Sequence, residues 1–234
     1  MNRDVTAHGP PKADSAVKVV IFDCDGVLLD SRAANAAFYN EILSFCNKGP
    51  LTEEQLAYVH SHTVHESLAF LFPEERLLQE AERFWQQMDY EPIVELLTLE
   101  PGLIPCLETL CRRYKTAIAT SRTRTMEQVL RRFGLDRYFD LVVTSMDVRH
   151  PKPHPESLEK ILCFFNSTPE QACYIGDSGV DQETARRAGI PFIAYRNGEL
   201  QAEHHLADFF DLIPLLERMA SGENAPAGRR GNSS

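Results

Sequence analysis

The sequence lacks a long apolar run: nothing in its 234 residues approaches the length needed to cross a membrane as a helix. It also lacks concentrated positive charge. Net charge is −10, and basic residues come at most in adjacent pairs such as Arg112-Arg113 and Arg131-Arg132, which argues against nucleic acid as a partner. The six cysteines, at 24, 46, 106, 111, 163 and 173, form no Cys-x-x-Cys and have no zinc-like spacing with histidine. They read as small core residues. The first sixteen residues contain His8-Gly9-Pro10-Pro11 and no apolar h-region, so 1–16 reads as a flexible leader and not as a secretory signal. Residues 221–234 read as a flexible tail. Together these absences point to a cytoplasmic protein with neither a membrane nor a nucleic-acid partner; a monomer or small homo-oligomer is expected, on no sequence feature of its own.

Hydrophobic residues make up 43% and charged residues 25%, ordinary for a globular chain, and the length suits a domain carrying a sizeable insertion. The informative stretch is 21–30, Ile-Phe-Asp-Cys-Asp-Gly-Val-Leu-Leu-Asp. Residues 17–22 are apolar and mostly β-branched except for Lys18, the pattern of a strand buried on both faces of a parallel sheet. Asp23 and Asp25 follow at once. Two acids at the end of a buried strand are costly unless a cation or a reacting group neutralises them. Gly26 then allows a sharp turn or a close approach to a ligand.

From 31 to about 100 the periodicity is helical, with helices expected at 31–47, 52–60, 65–72 and 73–90. Thr52-Glu53-Glu54-Gln55 reads as a capping box. An insertion of roughly seventy residues is far longer than an ordinary connection between elements. Beyond Glu100-Pro101-Gly102 the order alternates: helices at 103–114, 123–133, 155–165, 179–188 and 212–219, strands at 116–120, 141–144, 172–176 and 192–195. Alternation of this kind means an α/β fold, a doubly wound parallel-sheet, Rossmann-like core with an inserted all-helical cap. The expected division is core at 17–30 and 101–220, with the cap at 31–100.

Ligands of such sheets bind beyond the carboxyl ends of the strands. Those ends offer Asp23 and Asp25, then Thr120 and Ser121, then Asp177, with Lys152 in a proline-flanked loop between. Three carboxylates with hydroxyls and a lysine suit Mg²⁺, a hard ion that prefers oxygen ligands. Asp181, four residues beyond Asp177, either orients a ligand or metal-bound water or is a helix-start acid favoured by the macrodipole. The Thr120 hydroxyl and the amides of Ser121 and Arg122, near a helix N-terminus, make a natural phosphate cradle. Lys152, between Pro151 and Pro153, can aim one charge at a phosphoryl oxygen.

These elements in this order resemble the signature of the haloacid dehalogenase (HAD) superfamily: Asp-Cys-Asp-Gly-Val, Ile-Ala-Thr-Ser, Lys152-Pro153 and Gly-Asp-Ser-Gly-Val-Asp, spread over 17–215. The helical insertion resembles the cap of the phosphoglycolate phosphatase and β-phosphoglucomutase branch. The resemblance implies a phosphatase acting on a small phosphorylated metabolite of the phosphoglycolate or sugar phosphate class. Asp23 would be the nucleophile that forms an aspartyl-phosphate and Asp25 the general acid–base. Mg²⁺ would be held by Asp23, Asp177 and the Asp25 carbonyl, with Asp181 beside it, while Thr120, Ser121 and Lys152 stabilise the transferring phosphoryl group.

Relatives with other chemistries fit less well. Dehalogenases lack the second acid, here Asp25. Phosphonate hydrolases need a cap lysine, and the cap's one lysine is Lys48. Mutases usually carry Glu-Asp in the fourth motif, where this chain has Gly176-Asp177. A β-phosphoglucomutase-like mutase and a non-catalytic phosphate-binding protein remain the alternatives. Between Asp30 and Glu100 stand thirteen acidic residues against four basic ones, a surface that repels polyphosphates. The loop after the second cap helix carries His60, His62 and His65. In relatives this loop closes over the site, so His62 and His65 are expected to contact substrate.

Overall fold

The computed structural model describes residues 16–221, so the leader and tail expected from the sequence lie, apart from Ala16 and Ser221, outside the described residues. In chain order the elements are β1 (Val19–Phe22), β2 (Leu29–Asp30), α1 (Arg32–Phe45), α2 (Glu53–Ser61), α3 (Val64–Leu71), α4 (Glu75–Gln87), α5 (Glu91–Glu95) and β3 (Thr98–Leu99). They continue with α6 (Leu103–Leu110), β4 (Lys115–Ala119), α7 (Met126–Phe133), β5 (Leu141–Val143), α8 (Glu156–Phe165), β6 (Ala172–Gly176), α9 (Gly179–Ala188), β7 (Phe192–Tyr195), β8 (His204–Leu206) and α10 (Leu212–Ser221).

Six strands form one parallel sheet in the order β5-β4-β1-β6-β7-β8. β1 lies between β4 and β6, and all four of its side chains are sealed from solvent. That explains its unbroken apolar run, since helices cover both faces of the sheet. One face packs Val20, Phe22, Ile118 and Ile175 against α6 and α10, the other Val19, Ile21 and Tyr174 against α8 and α9. Because β1, β4 and β6 are neighbours, their carboxyl ends bring Asp23, Thr120 and Asp177 to one place.

α1 to α5 hold an apolar cluster of their own, built on Phe38, Ile42, Leu68, Phe72 and Trp85. Two capping boxes set their starts. Thr52 with Gln55 begins α2 as the sequence indicates, and Thr63 with Glu66 begins α3. The chain enters and leaves this bundle through β2 and β3, which pair antiparallel, Leu29 with Leu99 and Asp30 with Thr98. Glu100, at the exit, accepts from Arg196 at 2.6 Å and from the Tyr195 hydroxyl at 3.0 Å, tying the crossing to β7.

Candidate active site

Asp23 and Lys152 meet at the head of β1. Lys152 Nζ donates to Asp23 Oδ1 at 2.7 Å, to Asp181 Oδ1 at 2.8 Å, to the Tyr174 hydroxyl at 3.0 Å and to the Ala119 carbonyl at 3.3 Å. All three charged side chains are buried. Burial alone would strip the proton from Lys152, but the Asp181 and Asp23 carboxylates hold it well above its usual range. The lysine therefore stays charged, although a loop residue flanked by prolines gives no sign of burial. Glu156 fixes that loop by accepting the amides of Arg149 and His150, each at 3.0 Å.

Asp181 is the helix-start acid of α9 and, beyond that expectation, a partner of Lys152. Its Oδ2 closes the capping box of α9, accepting from the Ser178 hydroxyl at 2.6 Å and the Ser178 amide at 3.2 Å. Its Oδ1 takes Lys152 and, at 2.7 Å, the Tyr174 hydroxyl. With both oxygens occupied and the residue 1% exposed, Asp181 acts by orienting Lys152. Tyr174 is the member of this cluster that pattern reasoning misses, because an aromatic inside a buried strand reads as packing alone.

Glycines set the spacing of the acids. Gly26 has φ +77°, and a Cβ there would lie 2.1 Å from Asp177 Oδ2, so the turn after Asp25 can pass Asp177 only without a side chain. A Cβ at Gly176 would lie 2.3 Å from the Asp181 Cβ. Asn197 donates to the Asp177 carbonyl at 2.8 Å and anchors the end of β6.

Asp25 is gripped by Arg122, which donates through Nε at 2.7 Å and Nη2 at 2.6 Å. Burial opposes ionisation of Asp25, yet Arg122 outweighs it and holds the carboxyl below its usual range. Thr120 is buried, and its hydroxyl accepts the Arg122 amide at 3.1 Å. The Ser121 hydroxyl is buried and has no hydrogen-bond partner among the described residues, and Ser121 is one of the residues lining the crevice. Ser145, absent from the expected set, donates to the carbonyls of Ser121 at 3.0 Å and Arg122 at 3.2 Å and holds this loop in place.

The cap histidines divide. His62 lines the crevice with its ring flat on Tyr58, centroids 3.9 Å apart. His65 does not reach it: the second residue of α3, it sets its ring edge against Trp85 and lies 3.8 Å from Glu82, 65% exposed. The capping box at Thr63 turns α3 so that His65 falls outside. His60 takes that place, bonded to Asn35 at 2.9 Å and with Nε2 3.7 Å from Asp177 Oδ2. Its spacing of four from buried Leu56 on α2 was the available signal.

The charge balance indicates what the site can hold. Ligand oxygens of Asp23, Asp177 and Asp181 lie within 4.8 Å of one another. Burial pushes Asp23 up to about 7 even with Lys152 pulling it down. Burial, with Asp181 and Asp23 nearby, pushes Asp177 up to about 8. One lysine does not compensate three carboxylates, and an all-oxygen set with this deficit fits a hard divalent cation. Asp23 and Asp177 have oxygens to spare for it, whereas Asp181 has none.

Known proteins share this arrangement. The family model of haloacid dehalogenase-like hydrolases matches residues 20–195. Pyrophosphatase PpaX of Bacillus cereus strain Q1 is 28% identical over 213 residues, covering 87% of this chain and 98% of that protein. The crystal structure of a HAD-superfamily hydrolase, subfamily IA, variant 1, from Geobacter sulfurreducens PCA is 40% identical, with 86% of this chain and 96% of that one covered at a TM-score of 0.71. β-Phosphoglucomutase from Clostridium difficile shares the fold at a TM-score of 0.75 with 16% identity, over 88% of this chain and 98% of its own. The family match runs from β1 to β7 and takes in every acid of the site and the helices above it, so the chain belongs to the haloacid dehalogenase-like hydrolases.

Proposed function

We propose that this HAD-type phosphoric monoester hydrolase is a Mg²⁺-dependent phosphatase that releases phosphate from a small phosphomonoester through an aspartyl-phosphate at Asp23. The observation that carries the reading is the buried Asp23–Lys152–Asp181 cluster standing beside the Asp25–Arg122 pair at the carboxyl ends of β1, β4 and β6. Residues 31–100 are the cap and the rest of the described chain is the catalytic core.

Lys152 holds Asp23 Oδ1, which leaves Oδ2 to attack phosphorus in line with the leaving oxygen. Lys152, the orphaned Ser121 hydroxyl and the Thr120–Arg122 loop take up the charge that spreads over the transferring group. An entering phosphate dianion competes with Asp25 for Arg122. Loosening of that fork lets Asp25 carry the proton it gives to the leaving oxygen. Asp25 then takes a proton from the water that attacks the phosphorus, and the Asp23 carboxylate is released. Side-chain oxygens of Asp23 and Asp177 and the Asp25 carbonyl would hold Mg²⁺, which supplies charge neutralisation at the phosphoryl oxygens when bound.

A mutase reading is disfavoured by the room at Gly176, where even a Cβ would strike Asp181 and a glutamate has no place. The test is phosphate release from a panel of phosphomonoesters by wild type, Asp23→Asn and Asp25→Asn. Asp23→Asn is expected to be inactive. Asp25→Asn is expected to bind Mg²⁺ and lose roughly 10²–10⁴-fold in turnover. Wild-type rates in Asp23→Asn would remove the nucleophile from its role.

A further inference from the structure

The crevice between core and cap has two unlike ends. At the core end stand the acids, Lys152 and Arg122. The cap end is walled by Phe38, Tyr39, Val59, Trp85, Tyr90 and Ile93. Together they line a solvent-open crevice of about 90 Å³.

Charge decides what that leaving group can be. Arg122 and Lys152 are the two lysine or arginine side chains lining the crevice, and both belong to the phosphoryl end. Lys152 is spent on Asp23 and Asp181, Arg122 on Asp25 and, at 3.3 Å, on the Thr125 hydroxyl. None of the cap's four basic side chains, Arg32, Lys48, Arg76 and Arg83, lines the crevice. Arg32 pairs with Glu53, Arg76 with Glu80, and Lys48 with the Leu71 carbonyl. Arg124 lies over the Trp85 ring, 5.2 Å from its centroid, and does not line the crevice. Of the two histidines there, His60 is held between Asn35 and Asp177 and His62 is stacked on Tyr58. A carboxylate or a second phosphate on the leaving group would therefore be desolvated against aromatic rings, with no lysine or arginine among the residues lining that end and with Asp25 and Asp177 at the other. An uncharged ring meets the opposite situation, four aromatic side chains and two aliphatic ones in a partly closed lobe.

We propose that the substrate is a phosphomonoester whose leaving group is an uncharged, ring-bearing apolar alcohol, and that the lobe selects against leaving groups carrying a carboxylate or a second phosphate. This rests on the phosphatase reading above.

The test compares kcat/KM, with Mg²⁺ present, for 2-phenylethyl phosphate, glycerol 3-phosphate, phosphoglycolate, pyrophosphate and acetyl phosphate. 2-Phenylethanol and glycerol are both primary alkanols, so the first two compounds differ chiefly in what they offer the lobe. The expected advantage of 2-phenylethyl phosphate over glycerol 3-phosphate, phosphoglycolate and pyrophosphate is at least about ten-fold, the scale of burying part of a phenyl ring. Trp85→Ala is expected to cut the ratio of 2-phenylethyl to glycerol phosphate several-fold, and Ile93→Asn, at a half-buried position, reads the same ratio where loss of the indole unfolds the cap. Equal or greater kcat/KM for phosphoglycolate or pyrophosphate overturns the assignment of the lobe and leaves the phosphatase reading standing. Absence of phosphate release from every compound, acetyl phosphate included, overturns both.

Discussion

Replacing Lys152 by methionine tests the charge cluster most directly. The substitution keeps most of the side chain's volume and removes the cation that sits 2.7 Å from Asp23 and 2.8 Å from Asp181, both buried. Breaking a buried pair by deleting one partner costs about 3–5 kcal/mol, because the remaining charge has no water to return to. For a chain of this size about 1 kcal/mol moves Tm by about 2–4 °C, so Lys152→Met is expected to melt roughly 6–20 °C lower. Asp181→Asn keeps one acceptor oxygen, able to serve Ser178 or Tyr174 but not both, and leaves Lys152 with Asp23, so its cost is about 1–3 kcal/mol. Since each residue's burial is justified by the other, the double variant is expected to cost less than the sum, by about 1.5–3 kcal/mol. Urea unfolding in EDTA measures the cycle. Added Mg²⁺ is expected to raise the stability of Lys152→Met more than that of wild type, because more carboxylate charge is left for it to compensate. Costs that add within about 0.5 kcal/mol in EDTA would show that Lys152 and Asp181 are not coupled, and the assignment of Asp181 as the residue that orients the lysine would fall.

Gly26→Ala, at φ +77° and with its Cβ directed to within 2.1 Å of Asp177 Oδ2, is expected to displace that carboxylate and weaken Mg²⁺ binding at least about ten-fold by calorimetry; unchanged affinity would take Asp177 out of the metal set. Glu156 is held down to about 2, against an ordinary value of 4.5, chiefly by the Arg149 amide and then by that of His150. A depressed carboxyl contributes stability above its ordinary value and loses it as pH falls through the folded one. Glu156→Gln is therefore expected to be less stable than wild type at neutral pH, with the gap closing between about 4.5 and about 2 in acid-unfolding curves. His60→Ala is expected to raise KM, whereas His65→Ala, 65% exposed and outside the crevice, is expected to stay within about two-fold of wild type; the reverse ranking in steady-state kinetics would refute the placement of α2 over the site.

The core was legible because its signals are local. The buried run of β1 and the ends of α7 and α9 at Gly134 and Gly189 stand in the sequence as they stand in the fold. β8 was not legible: His204-His205-Leu206 is three residues long, half polar, and pairs with β7 alone, so nothing but the neighbouring strand makes it extended. α5 escaped for a similar reason, a five-residue helix joined to what reads as one long helix from 73 to 90. Within the site, the positions of Asp23, Thr120 and Asp177 follow from strand order. The pairing of Asp25 with Arg122 and of Lys152 with Tyr174 depends on tertiary approach, and the sequence carries no local trace of it.

The two short strands that flank the cap have a consequence for how this chain can be rebuilt. β2 and β3 are hydrogen-bonded neighbours, so the polypeptide leaves the core and returns to it across one strand spacing, roughly 5 Å. Everything between is spliced in at a single seam. A bundle from another chain whose two ends lie equally close could be exchanged there without disturbing the register of the six-stranded sheet, and a short turn could replace the insertion altogether. Under the function proposed above the seam divides reaction from selection, so a graft onto this core would be expected to carry the donor's preference for leaving group while the acids below it keep the same chemistry.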